Sequence, residues 1–559
     1  LVDSPNANIA RHLDLMAAAQ PQAPAIKVPK GRSGGRIDYL TLTFAELSAE
    51  AGAWRALLEA RGVRRGDRTL VAVRPGLPLV ACAFALFRIG AVPVVIDPGM
   101  GWSNFLACVE RSRPRAVVGI PVAQLISRVV RRPFRSVEVR VTASSSLTAR
   151  LGGPSTRPAA SLRAGTPVPA LDMARSAPDE LAAILFTSGS TGSPKGVRYE
   201  HGMFEAQVAL LRDAYGIEPG EVDLPMLPIF ALFNPALGMT TVVPEIDPRR
   251  PAAVDPAKIV QAILQENVTN SFGSPTLWRI VGDHCRKSGT VLPSLRRVLS
   301  AGAPVPAALW MDSRSFIPKG LLHSPYGATE ALPVSTIDSV QHARASGSGA
   351  PVGRPLPGIS VRIVAISDEP IANLAAAREL GPGEIGEIIV SGPVVTKEYD
   401  SLPEATALAK IHDPGPPAAV WHRMGDCGHF DAQGLLWFCG RKAERVETSE
   451  GTLHTEPCEA VFRRHPRAAR CALIGLGPRG AQQPALVVET RVRSQAEALA
   501  LAEELRRLAL QHPETAAIGR FFFRPRFPVD VRHNAKIHRL ALARWAGKAG
   551  GLRHARVKH

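Results

Sequence analysis

With 559 residues, 45% hydrophobic and 21% charged, the chain has globular composition and is too long for one ordinary core, so two or more domains are expected. Its net charge is +18, and two thirds of that excess falls between Arg441 and the C-terminus. A basic region of this kind suits an acidic partner, a membrane surface or nucleic acid, but aromatic residues total only 5% and no zinc-finger or RNP-type sequence occurs, which argues against nucleic acid.

Helical and strand patterns alternate along most of the chain, which predicts α/β architecture. The N-terminal stretch Leu1-Val-Asp-Ser-Pro5 is interrupted by Asp3 and Ser4, so no signal peptide is expected. Residues 44–60 read as an amphipathic helix, 69–73 as a short strand, 79–89 as a buried helix and 91–96 as a strand. Arg88, Gly90 and Pro93 break this apolar region, so no membrane span is expected. Another strand is predicted at 115–120. Residues 144–170, rich in Ser, Gly, Pro, Ala and Arg, read as a long surface connection.

The next segment is the most informative. The apolar run Leu181-Ala-Ala-Ile-Leu-Phe186 predicts a buried strand, and Thr187-Ser-Gly-Ser-Thr-Gly-Ser-Pro-Lys-Gly196 follows it. Glycines let backbone N–H groups approach an oxyanion, hydroxyls add donors, and Lys195 adds positive charge. The order differs from a Walker A loop, because the lysine lies between Pro194 and Gly196. A helix is predicted at 201–211, strands at 269–272 and 297–300, and increasing β content from 383 to 440. Glycine and charge cluster at 440–444, which sets a boundary between a large domain, 1–439, and a small one, 440–559. The small domain contains a helix at 495–510. The seven cysteines show neither CxxC pairs nor zinc spacing, which suits small core residues in a reducing cytoplasm.

Four further segments accompany the phosphate loop: Ser324-Pro-Tyr-Gly-Ala-Thr-Glu330, Glu384-Ile-Gly-Glu387, Trp421-His-Arg-Met-Gly-Asp426 with Gly434-Leu-Leu-Trp-Phe-Cys-Gly-Arg441, and Asp530-Val-Arg-His-Asn-Ala-Lys-Ile-His-Arg539. In this order they resemble the adenylate-forming superfamily of acyl-CoA synthetases, luciferases and peptide-synthetase adenylation domains. The resemblance spans roughly residues 40 to 545. It implies a large N-terminal α/β domain of layered sheets and helices with a β-rich subdomain, and a small mobile α+β C-terminal lid.

That resemblance also implies roles. Thr187, Ser188, Gly189, Ser190, Thr191, Gly192 and Lys195 would hold the leaving phosphates of ATP. Glu330 would ligate Mg²⁺, a hard cation that takes carboxylate and phosphate oxygens. Thr329 would bond the α-phosphate, and Tyr326, beside Gly327, would offer a face to adenine. Asp426 would accept from the ribose hydroxyls, with Arg441 beside them. Lys536 would bridge carboxylate and α-phosphate, although Asn534-Ala535-Lys536 stands where relatives have Ser-Gly-Lys. A hinge is implied at 441–444, where Ala443 replaces a usual acidic residue.

Two stretches resemble one subgroup, the β-lactone synthetases of bacterial long-chain olefin biosynthesis. They are Phe233-Asn-Pro-Ala-Leu-Gly-Met-Thr-Thr-Val-Val-Pro244 and Arg532-His-Asn-Ala-Lys-Ile-His538. Phe230, Ala231 and Phe233 are candidate acyl-pocket residues, since each buried methylene contributes about 0.8 kcal/mol. This subgroup implies a long-chain 2-alkyl-3-hydroxy acid as substrate, ATP and Mg²⁺, no requirement for coenzyme A, and docking of other olefin-pathway enzymes on the basic C-terminal face. His323, His422 and His429 lie near motif positions as candidate bases. A long-chain acyl-CoA synthetase or acyl-AMP ligase, or a non-catalytic basic scaffold, are the competing readings.

Overall fold

The computed structural model describes residues 6–143, 173–187, 194–247, 253–416, 418–529, 537–548 and 554–556. The expected connection at 144–170 lies outside the described residues. The fold is α/β, with a large N-terminal part and a small C-terminal part.

The N-terminal part begins with an antiparallel hairpin, Pro24–Ser33 and Arg36–Thr43, which the sequence reading did not anticipate. Helix Phe44–Ala60 follows directly. Thr43 accepts from the Glu46 amide at 3.2 Å, while the Glu46 carboxylate accepts from the Thr43 amide at 2.9 Å. This reciprocal cap satisfies two of the N–H groups a helix start leaves unpaired.

Two sheets position the site. The first has six strands, in the order Val139–Thr142, Ala116–Gly119, Arg68–Ala72, Val92–Val95, Leu181–Thr187, Lys195–Glu200. All its pairs are parallel except the last. Its buried strands read as continuous Val/Ile/Leu/Ala runs, as expected of a parallel sheet covered on both faces. The second sheet has 14 strands and carries both Leu321–Ala328 and Ala419–Phe430. The two sheets meet through the segment after Val395. Val197 bridges Tyr399, the Asp400 amide donates to the Gly196 carbonyl at 2.7 Å, and Arg68 binds the buried Asp400 carboxylate at 2.7 and 3.0 Å. Gly196 fits closely at this join, where a Cβ would lie 3.0 Å from the Phe186 ring and 3.2 Å from Ile184.

The C-terminal part has a four-stranded sheet of Cys471–Leu476, Gln483–Glu489, Arg520–Arg524 and His554–Arg556, with helix Gln495–Ala509 against it. Two core clusters here draw only on residues from Val446 onward. All seven cysteines are free and buried. Burial raises every one of their thiols, Cys108 and Cys285 to about 11 and Cys82, Cys427 and Cys458 to about 12. Among the described residues, no helix is long and apolar enough to cross a membrane.

Candidate active site

The strands on either side of the glycine-rich segment pair antiparallel. Thr187 at the end of one strand pairs with Lys195 at the start of the next. Ser188, Gly189, Ser190, Thr191 and Gly192 lie outside the described residues, as does Lys536. Register therefore fixes Lys195 at the mouth of the loop, on the strand Lys195–Glu200, where composition alone predicts loop.

The Lys195 ammonium stands 4.7 Å from the centre of the Tyr399 ring, a cation–π contact. The Tyr399 hydroxyl in turn donates to Glu330 Oε1 at 2.8 Å. Burial lowers the Lys195 pKa from its ordinary value; Glu330 opposes that shift and Arg441 adds to it. Burial and the neighbouring Glu330 carboxylate both raise the Tyr399 phenol. Tyr399 thus joins the loop lysine to the acidic residue expected to meet the metal.

Glu330 and Thr329 occupy the tip of the hairpin formed by Leu321–Ala328 and Ala331–Asp338, where Ala328 pairs with Ala331. Gly327 permits this tight turn: a Cβ there would come within 2.6 Å of the Ala331 carbonyl oxygen. The tip is tied down through its backbone. Tyr199 donates to the Thr329 carbonyl. The Thr396 amide and hydroxyl donate to the Glu330 carbonyl at 2.9 and 3.1 Å.

Behind Thr396 stands a residue the motifs do not include. Lys410 is only 2% exposed, and its ammonium donates to the Thr396 carbonyl and, at 3.2 Å, to the Thr396 hydroxyl. Burial drives its pKa down from 10.5 to about 7; Glu330 opposes the shift and Lys195 adds to it. Lys410, Thr396 and Glu330 form a chain of contacts running from the core to the hairpin tip.

The acidic and basic members of the next pair lie on adjacent antiparallel strands. Asp426 of Ala419–Phe430 is in register with Arg441 of Leu436–Arg441. Arg441 donates to Asp426 Oδ1 at 2.6 Å and the Tyr326 hydroxyl donates to Oδ2 at 2.8 Å. Asp426 raises the Arg441 guanidinium, and burial, then Asp426, raises the Tyr326 phenol. Tyr326 is therefore held by its hydroxyl, with its ring mostly buried against the core beneath the hairpin.

The three candidate histidines are each embedded. Burial pushes His323 down to about 4, with its ring edge-on to Tyr215. His422 is held far below its usual value by burial and then by Lys410, and its Nδ1 lies 3.2 Å from the Ala409 carbonyl. His429 is lowered by burial, stacks on Trp437 and contacts Cys439. All three favour the neutral form.

An apolar cavity of about 40 Å³ lies beside the hairpin, lined by Phe230, Phe233, Asn234, Phe272, Leu299 and Pro325 among others. Phe230 stacks on Phe272 at 3.8 Å. The turn Pro228–Phe233 is a 3₁₀ helix, whose three-residue period puts Phe230 and Phe233 on one side. Ala231 faces elsewhere and is buried in the core. At this volume the cavity would have to widen, by movement of its lining side chains, to take an alkyl chain.

Among the described residues, no cluster of three or more His, Cys, Asp or Glu side chains could hold a metal ion. The lone Glu330 carboxylate fits a Mg²⁺ that takes its remaining ligands from phosphates and water.

The similarities to known proteins agree with this geometry. The family described as AMP-binding enzyme matches residues 13–400. The chain is 45% identical to an olefin β-lactone synthetase of Stenotrophomonas maltophilia over 550 residues, covering 96% of this chain and 98% of that one. It is 44% identical to an olefin β-lactone synthetase of Xanthomonas campestris pv. campestris, covering 97% and 98%. In architecture it is similar to ATP-bound MatB from Rhodopseudomonas palustris, with a TM-score of 0.76 over 97% of this chain and 99% of that one at 22% identity. With a match covering more than half its length, on a fold that brings Lys195, Tyr399 and Glu330 into one contact chain, the chain belongs to the AMP-binding enzyme family.

Proposed function

We propose that this chain is an AMP-forming β-lactone synthetase acting on a long-chain 2-alkyl-3-hydroxyalkanoic acid. In the first step a carboxylate oxygen of the acid attacks the α-phosphorus of ATP, and pyrophosphate leaves. In the second, the 3-hydroxyl oxygen attacks the acyl carbon of the adenylate. AMP leaves, the hydroxyl proton passes to solvent or a base, and a four-membered lactone closes. Coenzyme A has no step in this sequence.

The observation that carries this reading is the near full-length similarity to two olefin β-lactone synthetases, on a chain whose Lys195, Tyr399 and Glu330 are linked in one contact chain. Lys195 and the 187–192 loop would hold the leaving pyrophosphate, where fixed donors stabilise developing charge. Glu330 would hold Mg²⁺, which supplies charge neutralisation on the phosphates. Asp426 and Arg441 would fix the ribose, Thr329 the α-phosphate and Tyr326 the adenine. Lys536 would bring the carboxylate to the phosphorus, in a lid domain that would span 440–559. Phe230 and Phe233 would contact the acyl chains.

The test is mass spectrometry of the product formed from a synthetic 2-alkyl-3-hydroxy acid with ATP and Mg²⁺, with and without coenzyme A. A product lighter than the acid by one water, formed without coenzyme A, supports the reading. A thioester formed only with coenzyme A identifies a ligase of the acyl-CoA type instead.

A further inference from the structure

Helix Pro121–Val129 packs Ile126 on the core, but its fully buried positions are polar and its exposed ones largely aliphatic. Its buried side chains are polar: Gln124 donates to the carbonyls of Val117 at 3.2 Å and Val141 at 2.7 Å. Ser127 donates to the Gln124 carbonyl at 2.8 Å and accepts from Arg140 at 3.1 Å. These bonds anchor the helix to the end of the six-stranded sheet. Its outward side is aliphatic, with Val122 53%, Leu125 60% and Val129 70% exposed. Spacings of three and four residues put these side chains on one face. An amphipathic helix on a water-facing surface has the opposite orientation.

Cations border this stripe. Arg128 is exposed on its flank, and Arg131, Arg132 and Arg135 are exposed in the turn that follows. Arg132 pairs with Glu110 at 3.1 Å, while Arg128, Arg131 and Arg135 have no carboxylate partner among the described residues. The surface therefore combines aliphatic side chains with uncompensated guanidinium groups.

We propose that this helix and its arginine turn dock the enzyme on an anionic lipid surface. Valine and leucine would enter the boundary between headgroups and acyl chains, and the long arginines would reach the headgroup phosphates. A protein partner fits less well. A stable protein interface covers about 800 Å² per partner around buried aromatic anchors, and this face offers three aliphatic side chains without one. A lipid surface needs only shallow insertion and charge. The proposed substrate gives the docking a purpose, since a long-chain acid resides in membranes, but the binding itself is independent of that reading.

The test is co-sedimentation of the full chain with vesicles of phosphatidylcholine alone and of equimolar phosphatidylcholine and phosphatidylglycerol, at low and high salt, without substrate. The expected result is binding to the anionic vesicles that high salt weakens. Each arginine near a charged surface contributes about fivefold, so the double variant Arg131→Glu/Arg135→Glu should lose about 25-fold or more in partitioning. Leu125→Gln/Val129→Gln should lose at least about tenfold, because it removes the inserted stripe. Both variants should keep the wild-type melting temperature and pyrophosphate release with a short, water-soluble 3-hydroxy acid. Equal binding to neutral vesicles, equal binding by the variants, or no vesicle binding would each overturn the proposal. Loss of self-association in the variants, without any vesicle binding, would identify a protein interface instead and also overturn it. Because no substrate is present, failure here leaves the lactone reaction untouched, and failure of that reaction leaves the docking untouched.

Discussion

Replacing Lys410 with methionine should change how stability depends on pH. In the folded chain the ammonium is buried beside Thr396 and its pKa falls from 10.5 to about 7, with burial the main cause. In the unfolded chain the lysine keeps its ordinary value. Below the folded value both states are protonated, and the full cost of burying the charge is present. As pH rises past the folded value, the folded lysine loses its proton while the unfolded one keeps it. The unfolded state then binds more protons, so stability rises with pH. Between about pH 7 and pH 9 this gain amounts to about 2 kcal/mol, at about 1.4 kcal/mol per decade. Lys410→Met cannot titrate and should lack the gain. It also leaves the Thr396 oxygens without their donor, a loss of about 1–3 kcal/mol that changes little with pH. Denaturant unfolding of both proteins at several pH values in that range, followed by fluorescence, separates the two effects. Parallel pH profiles for wild type and variant would refute the assignment of a neutralising buried lysine.

Other substitutions test the site directly. Lys195→Ala should cut substrate-dependent pyrophosphate release by about 10²–10³, measured as kcat, since it removes a cation at the leaving phosphates. Tyr399→Phe removes one hydrogen bond to Glu330 and should lower kcat/KM about fivefold, with Glu330→Gln lowering it further and raising the Mg²⁺ needed for half-maximal rate. Equal Mg²⁺ requirements in Glu330→Gln and wild type would place the metal elsewhere. Asp426→Asn weakens the acceptor shared by Arg441 and Tyr326, and ATP titration should show KM raised about tenfold.

Much of this architecture is readable from local pattern. Helix Phe44–Ala60 announces itself by its apolar period and by Thr43 and Glu46 at capping spacing. The strand ending at Thr187 is a continuous apolar run before a composition found in few ordinary loops. The strand from Lys195 to Glu200 is hidden because its first two residues belong chemically to the loop, and only pairing with Leu181–Thr187 makes it a strand. Tyr399, Thr396 and Lys410 are hidden for a related reason. Each gains its meaning from Glu330, which is more than sixty residues away in sequence and adjacent only after the sheets have joined. Ala231 shows a limit of composition: a 3₁₀ turn and an α-helix share the same residues but point them differently, and the backbone decides which side chain meets the cavity.

The uniform burial of the seven thiols makes the chain a ready substrate for site-directed labelling. At neutral pH none presents an accessible thiolate, so a cysteine introduced at the surface would react with maleimide dyes essentially alone.

 The same burial raises their pKa values. Leu408→Cys and Leu510→Cys, at exposed positions on either side of the turn at Lys442–Glu444, would give a dye pair without removal of any native cysteine. Energy transfer between them would report directly whether the two parts of the chain change their separation during turnover.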